Sequence, residues 1–214
     1  MIRHPVHSIP SYWRCTIPPL DDITGFHNFM PEEAGYDEQR RVFDYLKNEG
    51  IIGPAVAGQE TNGNSNGHAA SSSSNEICVI DADDLLNNPE GIMRKFCASV
   101  GIDFEPSMLE WDTPEDHKFA KDKFEKWRGF HEDAINSSGL KARTHVCQKT
   151  IQLTETGFRC ANDVFSQRKA EKTEAEYFEE WKLKYGEHAA KVIQDTVKQN
   201  VADYEYMKKF AIKA

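Results

Sequence analysis

The sequence predicts an α/β fold, a parallel sheet flanked by helices with a helix-rich C-terminal half. Three observations carry that expectation. Ile77-Cys78-Val79-Ile80 is a continuous β-prone run, the pattern of a strand buried on both faces of a parallel sheet. It feeds, through the polar stretch 81–88, a helix that opens at Pro89 and ends at Gly101, which is half of a βαβ unit. From Thr173 to Lys208 capping signals and helical spacing dominate.

Taken in order, the chain opens on a stub, residues 1–3, followed by one or two helical turns over about 8–14. Ile17-Pro18-Pro19 reads as extended, because a residue before proline avoids the helical region. Residues 20–34 read as an irregular loop. A helix is predicted over 36–49, with Val42, Phe43, Tyr45 and Leu46 on its apolar side and Gly50 at its C-terminal stop. Residues 55–75 hold one charged residue and no aromatic, too little apolar area to offset the entropy of ordering. They are expected to form a disordered low-complexity insertion within the domain.

After the strand at 77–80, Ile92, Met93, Phe96, Cys97 and Val100 share one helix face. Thr113-Pro114-Glu115-Asp116 is a helix start, with a capping threonine, a first-turn proline and acids against the dipole. That helix is expected to run to about 135, with Phe119, Phe124, Trp127 and Phe130 in the core. A short strand is expected over 150–153. Thr173 and Glu176 form a capping box, and Gly186 closes the helix they start. A last helix over 187–208 presents Ala190, Ile193, Val197, Val201 and Tyr204 at helical spacing.

At 214 residues, the chain has about the length of one domain on a prior of roughly 100–200 residues each. Lys plus Arg is 26 against 35 Asp plus Glu, a net charge of −9, which disfavours generic nucleic-acid binding. No apolar run is long enough to span a membrane. The first ten residues lack the uninterrupted apolar core of a secretory signal. Five widely spaced cysteines with no C-x-x-C pair argue for reduced thiols, so a cytoplasmic location is expected and neither a disulfide framework nor a zinc site is.

Most local candidates for chemistry have ordinary readings. Gly53 to Gly58 has the glycine spacing of a phosphate loop but no lysine after it. Asp81 after an apolar strand resembles a magnesium-holding acid, yet acids commonly follow buried strands and cap the next helix. His4 and His7 lie three apart with no third ligand in view, so no metal is assigned. Residues 1–20 are different, because they hold Arg3, Arg14, His4 and His7 and no acid in an acidic chain. Arg3 sits just past a strand remnant, and Ser11 follows eight positions on. An arginine fork at a strand end with a hydroxyl on the next helix can hold a phosphate. The competing reading is a surface arginine and a capping serine.

Those residues carry a resemblance. Ile2-Arg3-His4-Pro5 with Ile9-Pro10-Ser11-Tyr12 resembles the 3′-phosphate-binding segment of the sulfotransferases. Val79-Ile80-Asp81-Ala82-Asp83-Asp84-Leu85, then Asn88-Pro89 and the helix to Val100-Gly101, resembles that family's strand, acidic loop and helix. Ser107-Met108-Leu109 with Trp111 continues the likeness, and both stretches come in the family's order.

The resemblance implies a P-loop NTPase-like fold that binds 3′-phosphoadenosine 5′-phosphosulfate and transfers its sulfuryl group to a hydroxyl or amine. It places Arg3 and Ser11 on the cofactor's 3′-phosphate. In the family the phosphosulfate loop, its lysine and the catalytic base precede the segment that starts here at Ile2. The expectation is therefore a single sulfotransferase-like domain over 1–214 whose sheet is N-terminally incomplete, with no catalytic residue assigned and no transfer by the chain as written. The other reading is a non-catalytic α/β module that binds a nucleotide or a protein. The acceptor, a small molecule, is not specified by any motif.

Overall fold

The computed structural model describes residues 1–59, 75–141 and 172–214. It is helix-rich, with a small parallel sheet, an architecture compatible with the α/β expectation. Helix α1 spans Pro5–Cys15 and starts one turn earlier than expected. Pro5 stands in the first turn, where its missing N–H costs nothing, and His4 caps the end. Pro10 lies inside the helix, where it removes one intrahelical bond. The region 17–34 is more ordered than a loop. Ile17 to Leu20 turn rather than extend, α2 occupies Asp21–Thr24, and a 3-10 turn covers Pro31–Ala34.

Gly35 follows with a φ of 73° and turns the chain into α3, Tyr36–Asn48. Its buried residues are Tyr36 and Phe43. Val42 and Tyr45, expected on the apolar side, are exposed, because α3 meets the core along a narrower stripe than its apolar residues suggest.

Strand β1, Ile52–Val56, was not foreseen, and it takes in Ala55 and Val56 from the start of the low-complexity stretch. Gly53 and Pro54 hide it from propensity. Pro54 is tolerated because β1 is an edge of the sheet. Strand β2, Asn75–Ile77, pairs with β1 in parallel, with an irregularity between Ile52 and Val56. Of the stretch 55–75, residues 60–74 lie outside the described residues, as does the expected strand at 150–153.

Beyond β2 the chain stays extended. Val79 makes a parallel bridge to Ala211, and Asp81 makes one to Ile2. Ile77 and Val79 are buried, but Cys78 between them is exposed, so this run alternates and does not bury both faces. The polar stretch after it holds α4, Ala82–Asn87, and α5 spans Pro89–Val100. Ile92 and Cys97 are buried on α5, whereas Val100 is exposed.

Helix α6, Pro114–Lys123, is capped by Thr113 as expected, and Asp116 answers it to complete a capping box. It ends well short of 135. A 3-10 turn follows at Glu125–Trp127, then α7 at Glu132–Ile135. Phe119 and Trp127, expected in the core, are 65% and 58% exposed, whereas Ile135 is buried. The apolar count was right for a long helix, but the helix breaks before those rings can share a face.

Helix α8 spans Glu174–Tyr185 and starts at the Thr173–Glu176 capping box. Helix α9, Glu187–Lys208, is the centre of the molecule, contacting α8, α1 and α3. Ala190, Ile193 and Tyr204 are wholly buried on it, and Val197 nearly so. They join Ile2, Ile9, Phe43, Val79 and Trp181 in one core. A smaller cluster of Ala57, Leu85, Ile92 and Ile212 lies beneath α4 and α5.

Truncating Ile193, which has no exposed surface, leaves a cavity at the junction of these elements. Ile193→Ala is expected to lower unfolding free energy by about 2–5 kcal/mol. Leu183→Ala, at an exposed position on α8, is expected to stay within about 0.5 kcal/mol. Urea denaturation of both variants checks the contrast.

Candidate functional site

The N-terminal segment is delivered by the sheet. The Ile2 N–H donates to the Ile80 carbonyl at 2.7 Å, and the Ala82 N–H donates to the Ile2 carbonyl at 2.9 Å. Ile2 is thus a strand residue, and Arg3 stands at its end, exposed. Asp81, opposite Ile2, is fully buried. Its Oδ1 accepts from the N–H groups of Asp83 and Asp84 and caps α4, while its Oδ2 accepts from the Tyr204 hydroxyl at 2.7 Å. Lys208 donates to the same hydroxyl at 2.9 Å and lies 3.9 Å from the carboxylate. Desolvation, then the bond to Asp81, pushes the Tyr204 phenol far above its usual range. Asp81 therefore caps a helix and anchors α9, as the ordinary reading of an acid after a buried strand requires.

Helix α1 leads away from Arg3 with no acid in its first turn. Its N-terminus carries the positive end of the helix dipole, while Pro5 has no N–H and those of Val6 and His7 are taken by His4. A cleft of about 260 Å³ lies beside it, lined by Arg3, Ser8, Ile9, Tyr12, Glu33 and Tyr36 among others. The Arg3 guanidinium has no ion-pair partner among the described residues. Glu33 is the acid of this cleft, and the Tyr12 hydroxyl donates to it. Burial and that bond push the Tyr12 phenol up to about 12.

Of the two residues expected to form the site, Arg3 lines the cleft and Ser11 does not. Ser11 is half-buried on α1, and Ser8, almost one turn earlier, takes the place beside Arg3. Tyr36 was also missed. Its hydroxyl donates to the Arg3 carbonyl at 2.7 Å, and Ser8 Oγ in turn meets that hydroxyl. Ser8 was within reach of sequence reasoning, since it shares a helix side with Ser11. Tyr36 was not, because nothing local links it to a partner 33 residues away.

His4 and His7 do not converge on a metal. Their rings meet edge-on at 6.3 Å, and His4 Nδ1 is taken up as acceptor of the Val6 N–H at 3.1 Å. Among the described residues, Asp21, Asp22 and His27 bring donor atoms within 4.8 Å of one another. They sit at a four-residue surface helix, where acids gather without an ion. Cys15, Cys78 and Cys97 are free thiols.

Residues 62–140 match the family model of the sulfotransferase domain. That span holds α4 and α5, the helices of the second resembling stretch, together with β2, α6 and α7. In this region the chain is sulfotransferase-like. No curated protein and no solved structure matches it. No helix among the described residues is long and apolar enough to cross a membrane.

The capping role of His4 has a pH consequence. Burial holds its pKa below the usual imidazole value of about 6.5, against the pull of Asp83, Glu205 and Asp81 and with the push of Lys208. The unfolded chain then takes up the proton first as pH falls. Stability from this group is full above about 6.5 and declines as pH drops towards the folded pKa. The urea midpoint should fall between pH 7.5 and 5, and more steeply in the wild type than in His4→Asn, whose side chain caps without titrating.

Proposed function

We propose that this chain is a sulfotransferase-like polypeptide that carries the 3′-phosphate side of a site for 3′-phosphoadenosine 5′-phosphosulfate, on a P-loop NTPase-like scaffold. The observation that carries the reading is Arg3. An arginine with no ion-pair partner among the described residues stands at a parallel strand end, next to the N-terminus of an eleven-residue helix whose first turn holds no acid. A guanidinium fork and a helix N-terminus both favour phosphate. The match over 62–140 supports the family, and the parallel bridges of Ile2, Val79 and Asp81 suit a P-loop-type sheet.

The residues fit the 3′-phosphate end of the cofactor. Arg3 supplies charge and α1 supplies its dipole, with Ser11 further along the same helix as the hydroxyl the resemblance implies, while Ser8 stands in the cleft wall against Tyr36. The Tyr12–Glu33 contact engages the one acid in the cleft. When bound, the cofactor supplies an activated sulfuryl group. Transfer of that group needs positive charge at the bridging oxygen. The 214 residues contain no glycine-framed loop followed by lysine. We assign this chain binding of the nucleotide and no catalytic residue.

Two measurements test this. The purified 214-residue chain, given labelled cofactor and simple phenol or amine acceptors, is expected to show no transfer above background. Turnover would overturn the inactive assignment. Titration with adenosine 3′,5′-bisphosphate, followed by NMR shift changes, is expected to show weak binding that Arg3→Ala abolishes. Equal binding by the variant would remove Arg3 from the site.

A further inference from the structure

We infer that Tyr36 is a positioning residue for the phosphate site, fixing the backbone of Arg3 so that its guanidinium, and not its carbonyl, faces a bound 3′-phosphate. The inference rests on the proposed role of Arg3 and adds to it a residue that no local motif marks.

Arg3 is held on two sides. On the sheet side, Ile2 is locked by its two backbone bonds to Ile80 and Ala82. On the other side, the Tyr36 hydroxyl donates to the Arg3 carbonyl at 2.7 Å. That hydroxyl has one proton, and the carbonyl takes it. The contact between Ser8 Oγ and Tyr36 Oη must then be donated by Ser8. A directed relay results, from Ser8 on α1 through Tyr36 on α3 to the backbone of Arg3.

Three features make the relay suited to positioning. Tyr36 is the first residue of α3, set by the Gly35 turn, and its ring is buried in the main core, so the hydroxyl is carried on a rigid mount. Burial raises the Tyr36 phenol above its usual range, against the pull of the Ser8 bond and the Arg3 charge, so it remains a proton donor. All three members line the same cleft. A carbonyl oxygen turned into that cleft would repel a phosphate. Tyr36 engages it, while the guanidinium on the same residue stays free of ion pairs among the described residues. The exposed Arg3 side chain then has fewer backbone states to lose when it closes on an anion.

Tyr36→Phe keeps the ring and removes the proton. The full 214-residue chain and its variants are titrated with adenosine 3′,5′-bisphosphate and with adenosine 5′-phosphate, which lacks the 3′ group. Tyr36→Phe is expected to weaken the bisphosphate roughly tenfold, the scale of one hydrogen bond, while leaving the monophosphate unchanged. A general loosening of the fold would weaken both equally and would overturn the inference. So would an unchanged preference for the bisphosphate.

Arg3→Ala separates the layers. If Arg3→Ala loses the preference and Tyr36→Phe keeps it, the Arg3 site stands and the positioning role fails. If Arg3→Ala keeps the preference, or the wild type binds neither nucleotide, both fail. Should Tyr36→Phe not fold, Ser8→Ala breaks the relay one step earlier. It is expected to reduce the preference for the bisphosphate severalfold, and no reduction would overturn the inference.

Discussion

A carboxylate without access to water must be fully partnered or lose its charge, and Asp81 meets that demand with partners from separate parts of the chain. One oxygen caps α4 through Asp83 and Asp84, and the other takes the Tyr204 proton from the far end of α9. Its neighbours Ile80 and Ala82 bond to Ile2. A single buried charge thus ties the strand end, the helix after it, the central helix and the N-terminal segment. Lys208 completes the arrangement through Tyr204.

The candidate site depends on this junction. Arg3 has its place because Ile2 is pinned beside Asp81, and α1 starts where it does because His4 and Pro5 follow at once. The His4 ring packs edge-on against Tyr204 at 4.7 Å, so the helix cap and the buried carboxylate share a neighbour. Core packing then sets the direction of α1 through Ile9, and α3 closes the other wall through Tyr36. The strand bonds and Tyr36 fix the Arg3 backbone and leave its side chain open to solvent.

What the sequence made legible follows from the range of the interactions involved. The Thr173–Glu176 box and the Thr113 cap are local, and both formed as read. The spacing of Ala190, Ile193, Val197 and Tyr204 also announced itself, because one helix face meets the core along its whole length. Failures arose where a long-range partner decides. Phe119 and Trp127 read as core in a continuous helix, but the helix ends at Lys123 and both are exposed. Strand β1 was masked by Gly53 and Pro54 and exists because β2 pairs with it. Arg3 stood out with Arg14, His4 and His7 as part of an acid-free positive stretch in an acidic chain. That Tyr36 lines the same cleft depends on how α1 and α3 pack, which no local pattern encodes, whereas Ser8 shares a helix side with Ser11.

The Asp81–Tyr204 bond holds the strand end that presents Arg3. Amide hydrogen exchange of the wild type and Tyr204→Phe checks this. Tyr204→Phe keeps the ring in the core and removes the hydroxyl proton donated to Asp81. The Ile2 and Ala82 amides are expected to lose protection together with the last turns of α9. Wild-type protection at Ile2 and Ala82, with change confined to α9, would contradict it.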